Sequence, residues 1–135
     1  MKDVTSVPQL RRIMFVEDEL DIQMVARLAL EDIGGFTVEV CSSGTEALAL
    51  APKFRPELIL LDVMMPPPDG PATLRALSSR PESAATPVVF VTAKVQKHEI
   101  AEYRELGAID VIIKPFDPMR LADQVLEIWH RHHGD

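Results

Sequence analysis

Short apolar runs alternate along the chain with longer segments in which apolar residues recur every three to four positions. The short runs have the length of strands, and the longer segments have the spacing of amphipathic helices. The pattern predicts strands at residues 12–16, 36–41, 58–61, 88–92 and 109–113. It predicts helices at residues 19–33, 44–51, 71–79, 96–106 and 117–133.

The first predicted helix has two apolar stripes. The stripe that we expect to face the core consists of Ile22, Val25, Ala26, Ala29 and Ile33. Gly34 and Gly35 then end the helix, because glycine readily forms a C-terminal cap. The second stripe consists of Leu20, Met24 and Leu28, which are either partly buried, scattered on the surface or part of a docking surface.

Alternating strands and helices indicate an α/β fold, a doubly wound parallel sheet with helices on both faces. The run at residues 58–61 has no polar residue, as expected of a strand that is covered on both sides. In such sheets ligands bind beyond the carboxyl ends of the strands. We therefore expect a functional site at that edge.

Composition narrows the classes of function. A chain of 135 residues that is 47% hydrophobic suits one globular domain, and its net charge of -7 disfavours binding to nucleic acid or to an anionic membrane. The single cysteine excludes an internal disulfide. No apolar run approaches the ~20 residues that span a bilayer, and the start has no signal-peptide pattern, so we expect a cytoplasmic location.

Polar residues close four of the predicted strands. Glu17 and Asp18 follow the first strand, Asp62 follows the third, Thr92 ends the fourth and Lys114 follows the fifth. Carboxylates that lie close together repel one another unless a hard divalent cation sits among them. The three acids therefore predict a small magnesium site.

Each of these residues also has an ordinary structural interpretation when it is taken alone. Asp18 suits a helix N-terminus, Asp62 a turn and Thr92 a strand. Lys114 suits a solvated strand end. Their joint occurrence at one edge of one sheet favours the functional interpretation.

Four motifs at these strand ends resemble those of a receiver domain of a two-component response regulator, similar to single-domain chemotaxis regulators. They are Val16-Glu17-Asp18, Leu61-Asp62-Val63-Met64-Met65-Pro66 with Asp69-Gly70, Val91-Thr92-Ala93-Lys94, and Lys114-Pro115-Phe116. The resemblance implies a flavodoxin-like fold with five helices and strand order 2-1-3-4-5. We divide the chain into an N-terminal extension, residues 1–10, and a receiver domain, residues 11–135.

The resemblance also implies a metal site and a phosphoacceptor. Asp62 would accept a phosphoryl group from a phosphohistidine of a sensor histidine kinase or histidine phosphotransfer protein. Asp18 and Asp62 would bind Mg²⁺ directly, Glu17 through water, and Met64 through its backbone carbonyl.

The remaining site residues would contact the phosphoryl group. Lys114 would pair with Asp62 before transfer and with phosphoryl oxygens afterwards, and the Thr92 hydroxyl would donate to one of those oxygens. The protein would act by protein contact and promote its own phosphorylation and dephosphorylation without turning over a separate substrate.

Three other classes of protein share part of this pattern. An aspartyl-nucleophile phosphatase resembles it, but such enzymes carry a second acid at the position of Met64. A nucleotide or flavin binder would need a glycine-rich phosphate loop, which the sequence lacks. A pseudo-receiver that binds partners without phosphate is disfavoured because all five polar residues at the strand ends are present.

The chain departs from the family pattern at two places. Receivers commonly carry an aromatic residue three positions before the lysine, and Val111 stands there. Valine is stiff and small, so we expect a different or weaker read-out of phosphorylation. Pro67 and Pro68 stand where many relatives have glycine and a longer apolar residue, and we expect them to stiffen the loop after Met64.

Overall fold

The structure is a computed structural model, which describes residues 7–93 and 96–134. Its five strands are β1 (Arg12–Val16), β2 (Thr37–Cys41), β3 (Leu58–Asp62), β4 (Val88–Thr92) and β5 (Asp110–Ile113). They form one parallel sheet in the order β2-β1-β3-β4-β5, which confirms the predicted fold. Lys94, which belongs to the motif after β4, lies outside the described residues.

Five helices cover the two faces of the sheet. They are α1 (Leu20–Arg27, continued by a π-helical segment, Leu28–Ile33), α2 (Gly44–Phe54), α3 (Gly70–Ser78), α4 (Lys97–Glu105) and α5 (Leu121–Gly134). Among the described residues, none of these helices has the length and apolarity needed to cross a bilayer.

Alternate residues of each strand project to opposite faces, so the sheet supports two apolar cores. On one face Phe15, Leu60 and Val91 pack with residues of α1 and α5, and we call this group the α1–α5 cluster. On the other face Leu61 and Phe90 pack with residues of α2, α3 and α4, and we call this group the α2–α4 cluster. Both cores end just below the edge where the strand-end polar residues lie.

The end of the first helix differs from the prediction. Residues Leu28–Ile33 are π-helical, and the Gly34 amide donates to the Ala29 carbonyl at 3.0 Å. A wider turn changes the angle between successive side chains, so a stripe drawn at 3.6 residues per turn fails there. Leu30 is fully buried while Ile33 is 44% exposed. The predicted inner stripe is also wrong at Val25, which is 38% exposed at the rim of a groove.

Two other helix boundaries were also misplaced. The predicted end of α2 at Ala51 is wrong because the helix passes through Pro52 and continues to Phe54. Proline has no amide hydrogen for the Leu48 carbonyl, and Arg80 Nη1 donates to that carbonyl instead, at 3.4 Å. Helix α5 begins later than residue 117 because Asp117 forms a turn, in which its carboxylate accepts from the Met119 amide.

Residues 7–10, which precede β1, pack against α5. The Trp129 indole donates to the Pro8 carbonyl at 2.7 Å, and Leu10 is buried in the α1–α5 cluster. Residues 7–10 therefore contact the domain directly.

Candidate functional site

The strand register brings the predicted site residues to one edge of the sheet. Val16 pairs with Leu61 and Asp62 pairs with Val91, so β1, β3 and β4 end side by side. Thr92 in turn pairs with Ile113, the residue before Lys114. Because all the strands are parallel, the side chains that follow them share the carboxyl edge.

Three carboxylates form the centre of the site. One oxygen each from Glu17, Asp18 and Asp62 lies within 4.8 Å of the other two. Glu17 and Asp62 are buried, at 0% and 4% exposure, whereas Asp18 is exposed. This set of hard oxygen donors, closed on the protein side and open at Asp18, has the chemistry that Mg²⁺ prefers.

Lys114 lies against two of the three acids. Its Nζ donates to Glu17 Oε1 at 2.6 Å and forms an ion pair with Asp62 Oδ1 at 3.2 Å. The Lys114 amide donates to the Thr92 carbonyl at 2.8 Å, which extends the pairing of β4 and β5 by one step. This backbone bond holds the lysine where its ammonium reaches Asp62.

Glu17 is fixed by contacts that the sequence did not reveal. Its Oε2 accepts from the Glu19 amide at 3.1 Å, and its backbone carbonyl accepts from Gln23 Nε2 at 2.6 Å. Its own amide donates to the Cys41 carbonyl at 2.9 Å. Gln23 has no distinguishing signal in the sequence, because its role depends on how α1 leaves the sheet.

Burial dominates the electrostatics of Glu17. The pKa of Glu17 is raised from its ordinary 4.5 to about 7. Loss of water is the largest cause and the nearby charge of Asp62 adds to it, while hydrogen bonds from Lys114 and the Glu19 amide oppose the shift. Burial also lowers the pKa of Lys114, but the hydrogen bond to Glu17 and the charges of Asp62 and Glu17 outweigh it, so the net shift is upward. Lys114 therefore remains charged while Glu17 and Asp62 share its ammonium.

The loop after Asp62 folds back over the site. The Met64 amide lies 3.4 Å from Asp62 Oδ1, and the Met64 side chain is 66% exposed at the rim. Thr92 is buried, at 1% exposure, at the end of the neighbouring strand. The structure thus places Met64 beside Asp62 and Thr92 at the end of the strand that pairs with β3.

Asp69 and Gly70 serve the architecture of the site. Asp69 caps α3 by accepting from the Ala72 amide at 2.9 Å. A Cβ on Gly70 would lie 2.6 Å from the Asp62 carbonyl oxygen and 2.7 Å from Val63 Cα, so only glycine fits there. The start of α3 can therefore pack directly against the backbone of Asp62 and Val63.

Comparison with known proteins identifies the family of the chain and gives the same fold. Residues 13–126 match the family described as response regulator receiver domain, and the chain belongs to this family. It is similar to the DNA-binding response regulator MtrA of Mycobacterium tuberculosis, with 34% identity over 115 residues, 85% of this chain and 49% of that protein. It is also similar to the transcriptional regulatory protein ResD of Bacillus subtilis, with 33% identity over 120 residues, 89% of this chain and 48% of that protein.

Solved structures of chemotaxis regulators and related receivers resemble the fold closely. Chemotaxis protein CheY4 of Vibrio cholerae matches with a TM-score of 0.82 and 28% identity, over 89% of this chain and 99% of that one. A response regulator of Chloroflexus aurantiacus matches with a TM-score of 0.81 and 28% identity, over 91% and 100% of the two chains. By contrast, the chain spans about half the length of the curated relatives that it matches.

Proposed function

We propose that this chain accepts a phosphoryl group on Asp62 from a phosphohistidine of a sensor kinase or histidine phosphotransfer protein, in a magnesium-dependent reaction that switches a protein-interaction surface. The observation that carries the proposal is the cluster of three carboxylates with the Lys114 ammonium 3.2 Å from Asp62. Membership of the receiver family supports it.

The donor set supports magnesium as the cation. We propose that Asp18 and Asp62 bind it directly, Glu17 through water, and Met64 through its backbone carbonyl. When bound, Mg²⁺ would supply positive charge that offsets the negative charge of the carboxylates and of a phosphoryl group. Burial is the main cause of the raised pKa of Glu17, so a cation at this edge would favour the ionised carboxylate.

In the proposed transfer an oxygen of the Asp62 carboxylate attacks phosphorus. The new O–P bond forms as the N–P bond to the donor imidazole breaks, and the imidazole leaves with that electron pair and takes up a proton from solvent. The Lys114 ammonium neutralises charge on the equatorial oxygens, and the Thr92 hydroxyl donates to one of them. Asp62 itself exchanges no proton, because it reacts as the carboxylate.

The residue two positions after Asp62 argues against turnover of a separate substrate. An exposed thioether, Met64, stands where aspartyl-nucleophile phosphatases carry a second acid. We therefore propose a phosphoacceptor that promotes only its own phosphorylation and dephosphorylation. Because the chain has a net charge of -7, we propose that it binds other proteins and does not bind nucleic acid. A cytoplasmic location and a receiver domain of residues 11–135 stay predictions.

One face of α1 suits the phosphodonor. Leu20, Met24 and Leu28 are 69%, 71% and 50% exposed and form one stripe, which we call the α1 stripe. It runs beside a groove of about 390 Å³ whose lining includes Ile22 and Phe116 and reaches Lys114. An apolar helix face next to the phosphoacceptor suits a helical donor domain.

Introducing a negative charge into the α1 stripe tests this docking face. We expect Met24→Glu to slow transfer from a phosphohistidine donor while leaving phosphorylation by acetyl phosphate unchanged. Met119→Glu is a matched control, because Met119 is similarly exposed, at 68%, but lies outside the α1 stripe. Equal transfer rates for Met24→Glu and the wild type would rule out the α1 stripe as the docking face.

Intact mass after incubation with acetyl phosphate and Mg²⁺ tests the proposed function. We expect one phosphoryl adduct, which disappears in Asp62→Asn and when EDTA removes the cation. Asp69→Asn is the matched control, since asparagine caps a helix as well as aspartate does, and it should keep the adduct. An adduct that survives in Asp62→Asn, or none from either a small donor or a phosphohistidine donor, would contradict the proposal.

A further inference from the structure

Val111 occupies the position at which receivers commonly carry an aromatic residue, and the aromatic ring of Tyr103 on α4 lies near it. Val111 of β5 pairs with Phe90 of β4 and packs, half-buried, against the α2–α4 cluster. The ring that covers this part of the cluster belongs to Tyr103, which is 8% exposed. It meets the Phe90 ring edge to face, with centroids 5.2 Å apart and planes at 72°.

Tyr103 is also the main anchor of α4. Of the nine residues of α4, all of them described, only Tyr103 is buried. On its outer side α4 is tied by a half-exposed ion pair, Arg104 Nη2 to Asp110 Oδ1 at 3.3 Å. Exposed pairs of this kind contribute little, so the packing of Tyr103 against Phe90 is a principal buried contact of α4.

The α2–α4 cluster reaches from this contact to the phosphoacceptor. Phe90 and Thr92 lie two residues apart on β4 and therefore project to the same face of the sheet. Val63 and Met65, from the loop that follows Asp62, belong to the same cluster as Phe90 and Tyr103. Closely packed side chains respond together when one of them is displaced.

We propose that Tyr103 is the positioning residue that couples the state of Asp62 to α4, in place of an aromatic residue at position 111. This inference rests on the proposed function. When Thr92 and the loop after Asp62 engage a phosphoryl group, Phe90 and its neighbours shift, and the Tyr103 ring carries that shift to α4. The face of α4 is then the surface that changes on phosphorylation.

Tyr103 is the only tyrosine and Trp129 the only tryptophan of the chain, so each gives a single ¹⁹F resonance when labelled. The probe is the full chain carrying 3-fluorotyrosine or 5-fluorotryptophan, observed before and after addition of Mg²⁺ and beryllofluoride, a phosphoryl mimic. Trp129 is the internal control, because it lies in the α1–α5 cluster on the opposite face of the sheet.

We expect the Tyr103 resonance to move by more than its linewidth when bound beryllofluoride appears, while the Trp129 resonance stays in place. Phe90→Leu should bind beryllofluoride but lose most of the Tyr103 shift, with an unchanged Trp129 resonance showing that the variant is folded. Bound beryllofluoride with an unmoved Tyr103 resonance would overturn the coupling alone. No bound beryllofluoride in the presence of Mg²⁺ would overturn the proposed function together with it.

Discussion

Two glutamate–cation pairs lie at opposite ends of the sheet. At the amino end, Glu57 Oε1 accepts from the amides of Arg11 and Arg12, at 2.8 and 2.9 Å, and its Oε2 lies 3.9 Å from Arg12 Nη2. The side chains of that pair are 40% and 27% exposed. At the carboxyl end, Glu17 and Lys114 are 2.6 Å apart with side chains 0% and 16% exposed.

The difference shows that solvation, more than residue type, separates a structural pair from a reactive site. Glu57 keeps contact with water and is satisfied by backbone amides, so its pair only ties a strand to a loop. Glu17 is buried away from water and shares the Lys114 ammonium with Asp62. A buried excess of negative charge favours the binding of a cation.

Removing the cation of each pair should give the largest contrast. We expect Lys114→Ala to slow phosphorylation by acetyl phosphate about 10²–10³-fold, because a fixed charge at the reacting oxygens is lost. The expected effect of Arg12→Ala, at the other end of β1, is no change in that rate. Rates are followed by intact mass at saturating Mg²⁺. Equal phosphorylation rates in the two variants would contradict a functional difference between the carboxyl and amino ends of the sheet.

Magnesium affinity should depend on pH at the carboxyl end. Because burial raises the pKa of Glu17 to about 7, the metal-free site holds a proton below that pH, and the cation must displace it. We expect about tenfold weaker Mg²⁺ binding at pH 6 than at pH 8, as measured by calorimetry. Glu57→Gln should keep this dependence and Glu17→Gln should lose it. A flat profile in the wild type would show that Glu17 is ionised across the range.

Neutralising the two glutamates should change stability in opposite directions. The folded state holds the Glu17 proton more tightly than the unfolded chain does. The stability that this proton binding gives the folded state is fully present below pH 4.5 and is lost as the pH rises through about 7. At pH 8 in EDTA we expect Glu17→Gln to raise the free energy of unfolding by about 2 kcal/mol.

Glu57→Gln should lower the free energy of unfolding by about 1 kcal/mol under the same conditions, since it weakens two hydrogen bonds to backbone amides. Urea denaturation of both variants measures the two values. Changes of the same sign in the free energy of unfolding of the two variants would mean that burial does not distinguish the two glutamates.

The smallest effect is expected from the loop beside the acids. Pro67 restricts the backbone that follows Met64, and we expect Pro67→Gly to weaken Mg²⁺ binding about 2–5-fold by giving the metal-free loop more freedom. The matched control is Pro56→Gly, in the loop before β3 at the other end of the sheet. Unchanged affinity in Pro67→Gly would show that the loop does not help to preform the metal site.

The sequence predicted the sheet and the residues at its edge because these depend on local pattern and on strand ends. All the strands predicted from apolar runs are present, shifted by at most one residue at an end. Glu17, Asp62, Thr92 and Lys114 meet because parallel strands bring their ends together. The family motifs add the expected division of roles, and these roles stay predictions.

The features that the sequence missed depend on tertiary contacts. The π-helical turn at Leu28–Ile33 breaks the helical period without any glycine or proline inside it. Helix α2 continues through Pro52 because Arg80, 28 positions further along the chain, donates a hydrogen bond to the Leu48 carbonyl. The proline has no amide hydrogen to donate to that carbonyl. Tyr103 lies on a helix with a polar pattern, and only the packing against Phe90 shows its place in the core.

The most direct test of the central claim is to locate the phosphoryl group chemically. Borohydride reduces an aspartyl phosphate to homoserine, so peptide mass spectrometry after reaction with acetyl phosphate, Mg²⁺ and borohydride identifies the acid that was modified. We predict homoserine at position 62 only, and none when Mg²⁺ is withheld. Homoserine at Asp18 or Asp69, or at no position in a sample that carries the adduct, would contradict the assignment of Asp62 as the phosphoacceptor.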